Sequence, residues 1–153
     1  MQELHLPGYA FKVREGPQGE QIFDVVRKQY VALTPEEWVR QHFLNFLITQ
    51  RGWPISLIKV ERGIKESRMN MRTDIVVHTS EGRPLALVEC KAPEVRIGER
   101  TFDQVFRYDR VLNVDFVLLT NGLEHYCCRV DRAKNALEPM AEIPRYHEMV
   151  QWP

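Results

Sequence analysis

The stretch Leu85-Ala86-Leu87-Val88-Glu89-Cys90-Lys91 limits the fold more than any other part of the chain. It is apolar until its end and then turns to an acid and a base. As a β-strand, it alternates its side chains between two faces, so Glu89 and Lys91 point the same way, roughly 6–7 Å apart. Ala86, Val88 and Cys90 face the opposite layer. A charge at the end of a buried strand is costly unless it is paired or bound to a metal. Taken alone, Glu-x-Lys is a weak signal, because an ion pair where a strand surfaces explains it equally well.

Asp74 adds weight to it. This residue opens Asp74-Ile75-Val76-Val77-His78, where an acid is a poor strand former. It precedes Glu89 by one strand–turn–strand hairpin with Gly82 in the turn, so the two carboxylates are expected at the same sheet edge. Carboxylates held close together repel and favour a hard divalent cation with oxygen ligands, above all Mg²⁺. Lys91 would then orient water or stabilise charge building on a phosphate. A buried polar or turn-capping role for Asp74 is the alternative.

Around this pair, the predicted elements form a mixed α/β order. Thr34, Pro35 and Glu37 make a capping box with Pro in its preferred place. Trp38, Phe43, Leu44, Leu47 and Ile48 then recur at helical spacing up to Gly52 and Pro54. Strands are expected at Leu57–Arg62, Thr73–Thr79, Leu85–Lys91, Phe116–Thr120 and His125–Val130, with a helix at Thr101–Leu112. Asn121-Gly122 reads as a type I′ hairpin turn. Residues 1–33 read as an N-terminal appendage: a hairpin of Tyr9–Val13 and Gln21–Val26, then an extended run from Asp24. Residues 34–132 form the core, and 133–153 a tail packed on the surface.

Composition narrows the function. The chain has 153 residues and 44% hydrophobic content, which suits one globular domain. Lys+Arg and Asp+Glu balance at 21 each, which counts against a dedicated, tight nucleic-acid binder. The charge is nevertheless uneven. Arg62, Lys65, Arg68 and Arg72 lie in a locally basic stretch suited to phosphates, and a solvated charged face explains it equally well. Three cysteines without a C-x-x-C pair argue against a disulfide scaffold or zinc knuckle and for the cytoplasm. No apolar run reaches the roughly 18 residues of a membrane span, and the N-terminus lacks a signal-peptide core.

Asp74 followed by Glu89-Cys90-Lys91 resembles the PD-(D/E)xK nuclease motif. Gln104 and Tyr108, at i and i+4 on one helix face, resemble the Gln-x-x-x-Tyr element of a subset of those enzymes. More narrowly, Thr34–Tyr126 resembles the N-terminal nuclease domain of type I restriction enzyme R subunits. The matching pieces are Pro35-Glu36-Glu37-x-Val39-Arg40-Gln41, Arg72-x-Asp74-Ile75-Val76-Val77, Val88-Glu89-Cys90-Lys91-Ala92-Pro93, Gln104-x-x-x-Tyr108 and Leu119-Thr120-Asn121-Gly122.

The resemblance implies a restriction-endonuclease-like core, a central mixed sheet flanked by helices. It implies a Mg²⁺-dependent DNA endonuclease, with Mn²⁺ as a possible substitute. Asp74, Glu89 and the Cys90 carbonyl would hold metal and Lys91 would act on water. Glu37 is a candidate acid from the first helix, although its capping box accounts for it without metal, and Glu61 is a second optional acid. Gln104 and Tyr108 are expected to face the cluster, ordering it or contacting DNA. The chain departs from full R subunits in lacking a G-x-x-x-x-G-K-[ST] loop, so no ATP site is expected and a separately encoded motor or specificity subunit would be the partner. The competing reading is a non-catalytic module that binds nucleic acid or a partner protein and retains the nuclease fold.

Overall fold

The computed structural model describes residues 1–60 and 75–153, with 106–112 described by their backbone. The long helix α1, Pro35–Arg51, starts and stops where its local signals place it. Thr34 accepts a hydrogen bond from the Glu37 N–H, and Pro35 opens the first turn. Gly52 closes the helix at φ 64°, a left-handed conformation in which a side chain would be strained. Val39, Phe43, Leu44 and Leu47 are fully buried along one side of it.

These side chains cover one face of a six-stranded mixed sheet in the order β4-β5-β6-β7-β8-β9. Its strands are β4 (Ile58–Val60), β5 (Ile75–His78), β6 (Pro84–Cys90), β7 (Phe116–Thr120), β8 (His125–Asp131) and β9 (Ala136–Met140). All neighbours are antiparallel except β6 and β7, which run parallel with Glu89 opposite Leu119. A parallel pair needs a crossover, and helix α2 (Glu99–Leu112) supplies it. The larger core, with Ile75, Val77, Ala86, Val88, Cys90, Phe116 and Leu118, lies on the α1 side. A smaller core of Val76, Leu87, Val105, Val114, Val117, Leu119 and Val130 lies on the α2 side. The expected mixed sheet flanked by helices is therefore what the chain forms.

The flanking segments differ from expectation. A small antiparallel sheet, β1 (Val13–Gly16), β2 (Gly19–Asp24) and β3 (Gln29–Ala32), replaces the expected hairpin and extended run. Asp24 makes the extra turn: its carboxylate accepts from the backbone N–H of Val26 and Arg27. Residues 133–153 do more than lie along the surface. They add strand β9 at the sheet edge, where Pro139 is tolerated, and the short helix α3 (Tyr146–Val150), whose Met149 is buried in the α1-side core. No helix of the described residues is long and apolar enough to cross a membrane.

Candidate active site

Strand alternation places the charged pair where the sequence indicates. Ala86, Val88 and Cys90 enter the α1-side core, and Leu87 enters the α2-side core. Glu89 and Lys91 follow Leu87 onto the α2 side, their side chains 13% and 29% exposed. Lys91 Nζ meets Glu89 Oε1 at 2.9 Å. Cys90 points into the opposite core as a buried free thiol, so only its backbone could serve the Glu89 side of the sheet.

The backbone around Lys91 is held by the end of β7. The Lys91 N–H donates to the Thr120 carbonyl at 2.8 Å. Buried Asn121 then ties down the loop that follows, donating from Nδ2 to the Val95 carbonyl at 3.0 Å. Its Oδ1 accepts from the N–H of Leu123 and Glu124 at 3.0 and 2.8 Å. This overturns the type I′ turn. That turn needs positive φ at both central residues, and Asn121 is not among the residues with positive φ, while Gly122 stands at 87°. A four-residue loop, closed by the Asn121 side chain, connects the strands instead.

The Thr120 hydroxyl accepts from the Gly122 N–H at 2.9 Å and lies 2.7 Å from His125 Nδ1. His125 Nε2 faces the His5 carbonyl at 2.8 Å, an acceptor only, so Nε2 carries the proton and Thr120 donates to Nδ1. Burial is the larger influence on His125 and lowers its pKa from the ordinary 6.5. The N-terminal segment thus rests on this loop, with the His5 N–H on the Gly122 carbonyl and Leu4 against Gly122.

Glu37 does not complete the reciprocal capping box. Its carboxylate is buried and accepts from Arg40 Nη1 at 2.7 Å, Gln41 Nε2 at 2.9 Å and Arg27 Nη2 at 3.1 Å. Arg27 Nε also binds fully buried Asp24 at 2.6 Å. A carboxylate already balanced by two guanidinium groups is a poor ligand for a divalent cation. Sequence reasoning missed this network because Arg27 lies in what reads as a plain extended run.

The remaining candidates fall as follows. Asp74, Glu61, Arg62, Lys65, Arg68 and Arg72 lie outside the described residues, as does the side chain of Tyr108. Ile75, the residue after Asp74, pairs with Val88, the residue before Glu89. Gln104 is exposed, whereas its neighbour Val105 is buried against the sheet. Among the described residues no group of three His, Cys, Asp or Glu could hold a metal ion. The donors that could join Glu89, a second carboxylate and a backbone carbonyl, are oxygen ligands of the kind Mg²⁺ takes.

Comparison with solved structures finds the same architecture in a fragment described as an HsdR subunit of a type I restriction enzyme from Vibrio vulnificus YJ016. The match has a TM-score of 0.55 at 21% identity and covers 79% of this chain and 25% of that one. The class is thus the mixed α/β fold of that HsdR fragment, and this chain spans about a quarter of the solved chain's length. Residues 35–144 match the family model for the type I restriction enzyme R protein N terminus, and the chain belongs to that family. No curated protein matches it.

Proposed function

We propose that this chain is a Mg²⁺-dependent DNA endonuclease domain of restriction or defence type, with little sequence specificity of its own. The observation that carries this reading is the Glu89–Lys91 pair, joined at 2.9 Å on one face at the end of a central strand. Family membership supports it. Asp74, Glu89 and the Cys90 carbonyl hold the metal in this proposal, with Mn²⁺ as a substitute. Bound there, the metal supplies Lewis-acid polarisation and lowers the pKa of water. Lys91 orients the attacking water and offsets charge developing on the phosphate. Gln104 and Tyr108 contact the DNA, a role that the exposure of Gln104 suits, and Arg62, Lys65, Arg68 and Arg72 meet its backbone. Residues 34–132 form the catalytic unit, working in the cytoplasm with a separately encoded motor or specificity subunit.

A non-catalytic binding module is the second reading, favoured by the balance of 21 basic and 21 acidic residues. Incubating the pure protein with plasmid and Mg²⁺ or Mn²⁺, beside Lys91→Ala, separates the two. Metal-dependent cutting that Lys91→Ala loses supports the enzyme. No cutting with either metal, alone or with a motor partner, supports the module.

A further inference from the structure

On the α2 face, a row of paired residues leads from the proposed catalytic strand to an aromatic pocket. Glu89 pairs with Leu119, and Leu119 pairs with Tyr126. Directly paired residues of neighbouring strands share a face. Leu119 lies in the α2-side core, and Tyr126 packs edge-on against Phe102 of α2, ring centroids 5.5 Å apart. Tyr126 therefore stands on the same face as Glu89, two strands away, or about 10 Å at the usual strand spacing.

Tyr126 is 38% exposed and, with Phe102, lines a cavity of about 600 Å³. Cys128, Leu137 and Pro139 also line it. Strand β9 stops short of this place, because its last pairing is Met140 with Cys127. Among the described residues, Tyr126 has no strand partner on that side. Among the polar groups, His125 has both ring nitrogens engaged by Thr120 and His5. The Tyr126 hydroxyl donates to the exposed Glu124 carboxylate at 2.5 Å, and exposed Asp103 is the acid lining the rim. An anionic phosphate would be repelled by that carboxylate, whereas the amino and imino N–H groups of a nucleobase can donate to it. The aromatic rings offer surfaces on which any base can stack.

We propose that this cavity holds a nucleobase turned out from the DNA strand whose phosphate is bound at Lys91. The substrate is then single-stranded or locally unpaired DNA, since a base inside a duplex cannot reach the pocket without leaving its stack. The proposal deepens the nuclease reading and rests on it for the placement of the phosphate. The pocket itself can be tested without cleavage.

Fluorescence anisotropy in EDTA, where no metal-dependent cut can occur, measures binding of a labelled single-stranded oligonucleotide. Three comparisons are made: the same length as duplex, the same length with every base removed, and the variants Tyr126→Ala and Tyr126→Phe. Wild type should prefer the single strand over both the duplex and the abasic strand. Tyr126→Ala should bind the single strand about 5- to 160-fold more weakly, the range for losing one aromatic stacking platform. Tyr126→Phe keeps the ring and should restore binding, and the abasic strand asks the same question of unaltered protein should the alanine variant misfold. Equal binding of base-bearing and abasic strands, or of wild type and a folded Tyr126→Ala, overturns the pocket. Tyr126-dependent binding with no cleavage in Mg²⁺ or Mn²⁺ upholds the pocket while removing the nuclease reading. Lys91-dependent cleavage that ignores Tyr126 and the bases does the reverse.

Discussion

Arg27 donates to Glu37 at 3.1 Å and, through its Nε, to Asp24 at 2.6 Å. One guanidinium thus joins the small N-terminal sheet to the first turn of α1. Removing Glu37 leaves Arg27 on Asp24 and Arg40 on Glu36 but strips the buried Gln41 amide of its acceptor, which costs about 1–3 kcal/mol. Glu37→Ala should lower stability by that amount in urea unfolding, and divalent-metal affinity should stay unchanged wherever the variant is folded. A stable Glu37→Ala that loses metal affinity would return Glu37 to the metal site.

The Glu89–Lys91 pair makes a separate prediction. Lys91→Ala removes a cation that competes with metal for Glu89, so Mg²⁺ or Mn²⁺ should bind no more weakly than in wild type. Cleavage should nevertheless drop about 100-fold or more, the scale of deleting one electrostatic stabiliser. Asp74→Ala should lose binding and cleavage together. Calorimetric metal titration beside the plasmid assay reads both, and weaker metal binding in Lys91→Ala would contradict the assigned roles.

Gly122 makes a steric prediction. With φ at 87°, an added Cβ would meet Leu4 Cδ2 at 2.8 Å and Val39 Cγ2 at 3.1 Å. Gly122→Ala should cost about 1–3 kcal/mol in backbone strain alone. Adding Leu4→Ala frees space, so the double variant should lose less than the two single losses combined. Strict additivity in thermal unfolding would show that the N-terminal segment does not press on this loop.

Stability should depend on pH through buried His42 and half-buried His125. Burial, the larger cause in each, holds His42 and His125 below 6.5, against hydrogen bonds to the carbonyls of Trp38 and His5. As pH falls below 6.5 the unfolded chain takes up protons that the folded chain refuses. Their contribution is therefore present in full above 6.5 and lost as pH falls toward the folded values. Urea midpoints should decline from about pH 7 to pH 5, and His125→Gln should flatten part of that slope. An unchanged slope would remove His125 from the account.

Much of this was legible because its causes are local. Thr34, Pro35 and Gly52 mark α1 by backbone chemistry within a few residues. Alternation alone puts Glu89 and Lys91 on one face of β6. What escaped depends on partners distant in sequence or on a side chain competing with backbone. Nothing near Arg27 announces Glu37, and Asn121 looks like a turn former until its amide is seen holding Val95. Strand β9 was hidden by Pro139, which only an edge position permits.

The single parallel pairing among the described strands has a consequence for how the molecule assembles. On either side of β6 and β7, every strand pairs antiparallel with its neighbour in sequence, β4-β5-β6 in one meander and β7-β8-β9 in the other. Each meander is built from nearer contacts, whereas the β6–β7 seam must wait for the 25-residue excursion between Cys90 and Phe116 to close. The Lys91 N–H donates to the Thr120 carbonyl across that seam. The setting of the charged pair is therefore expected to form late in folding, with neither half able to hold it while the other is still being made.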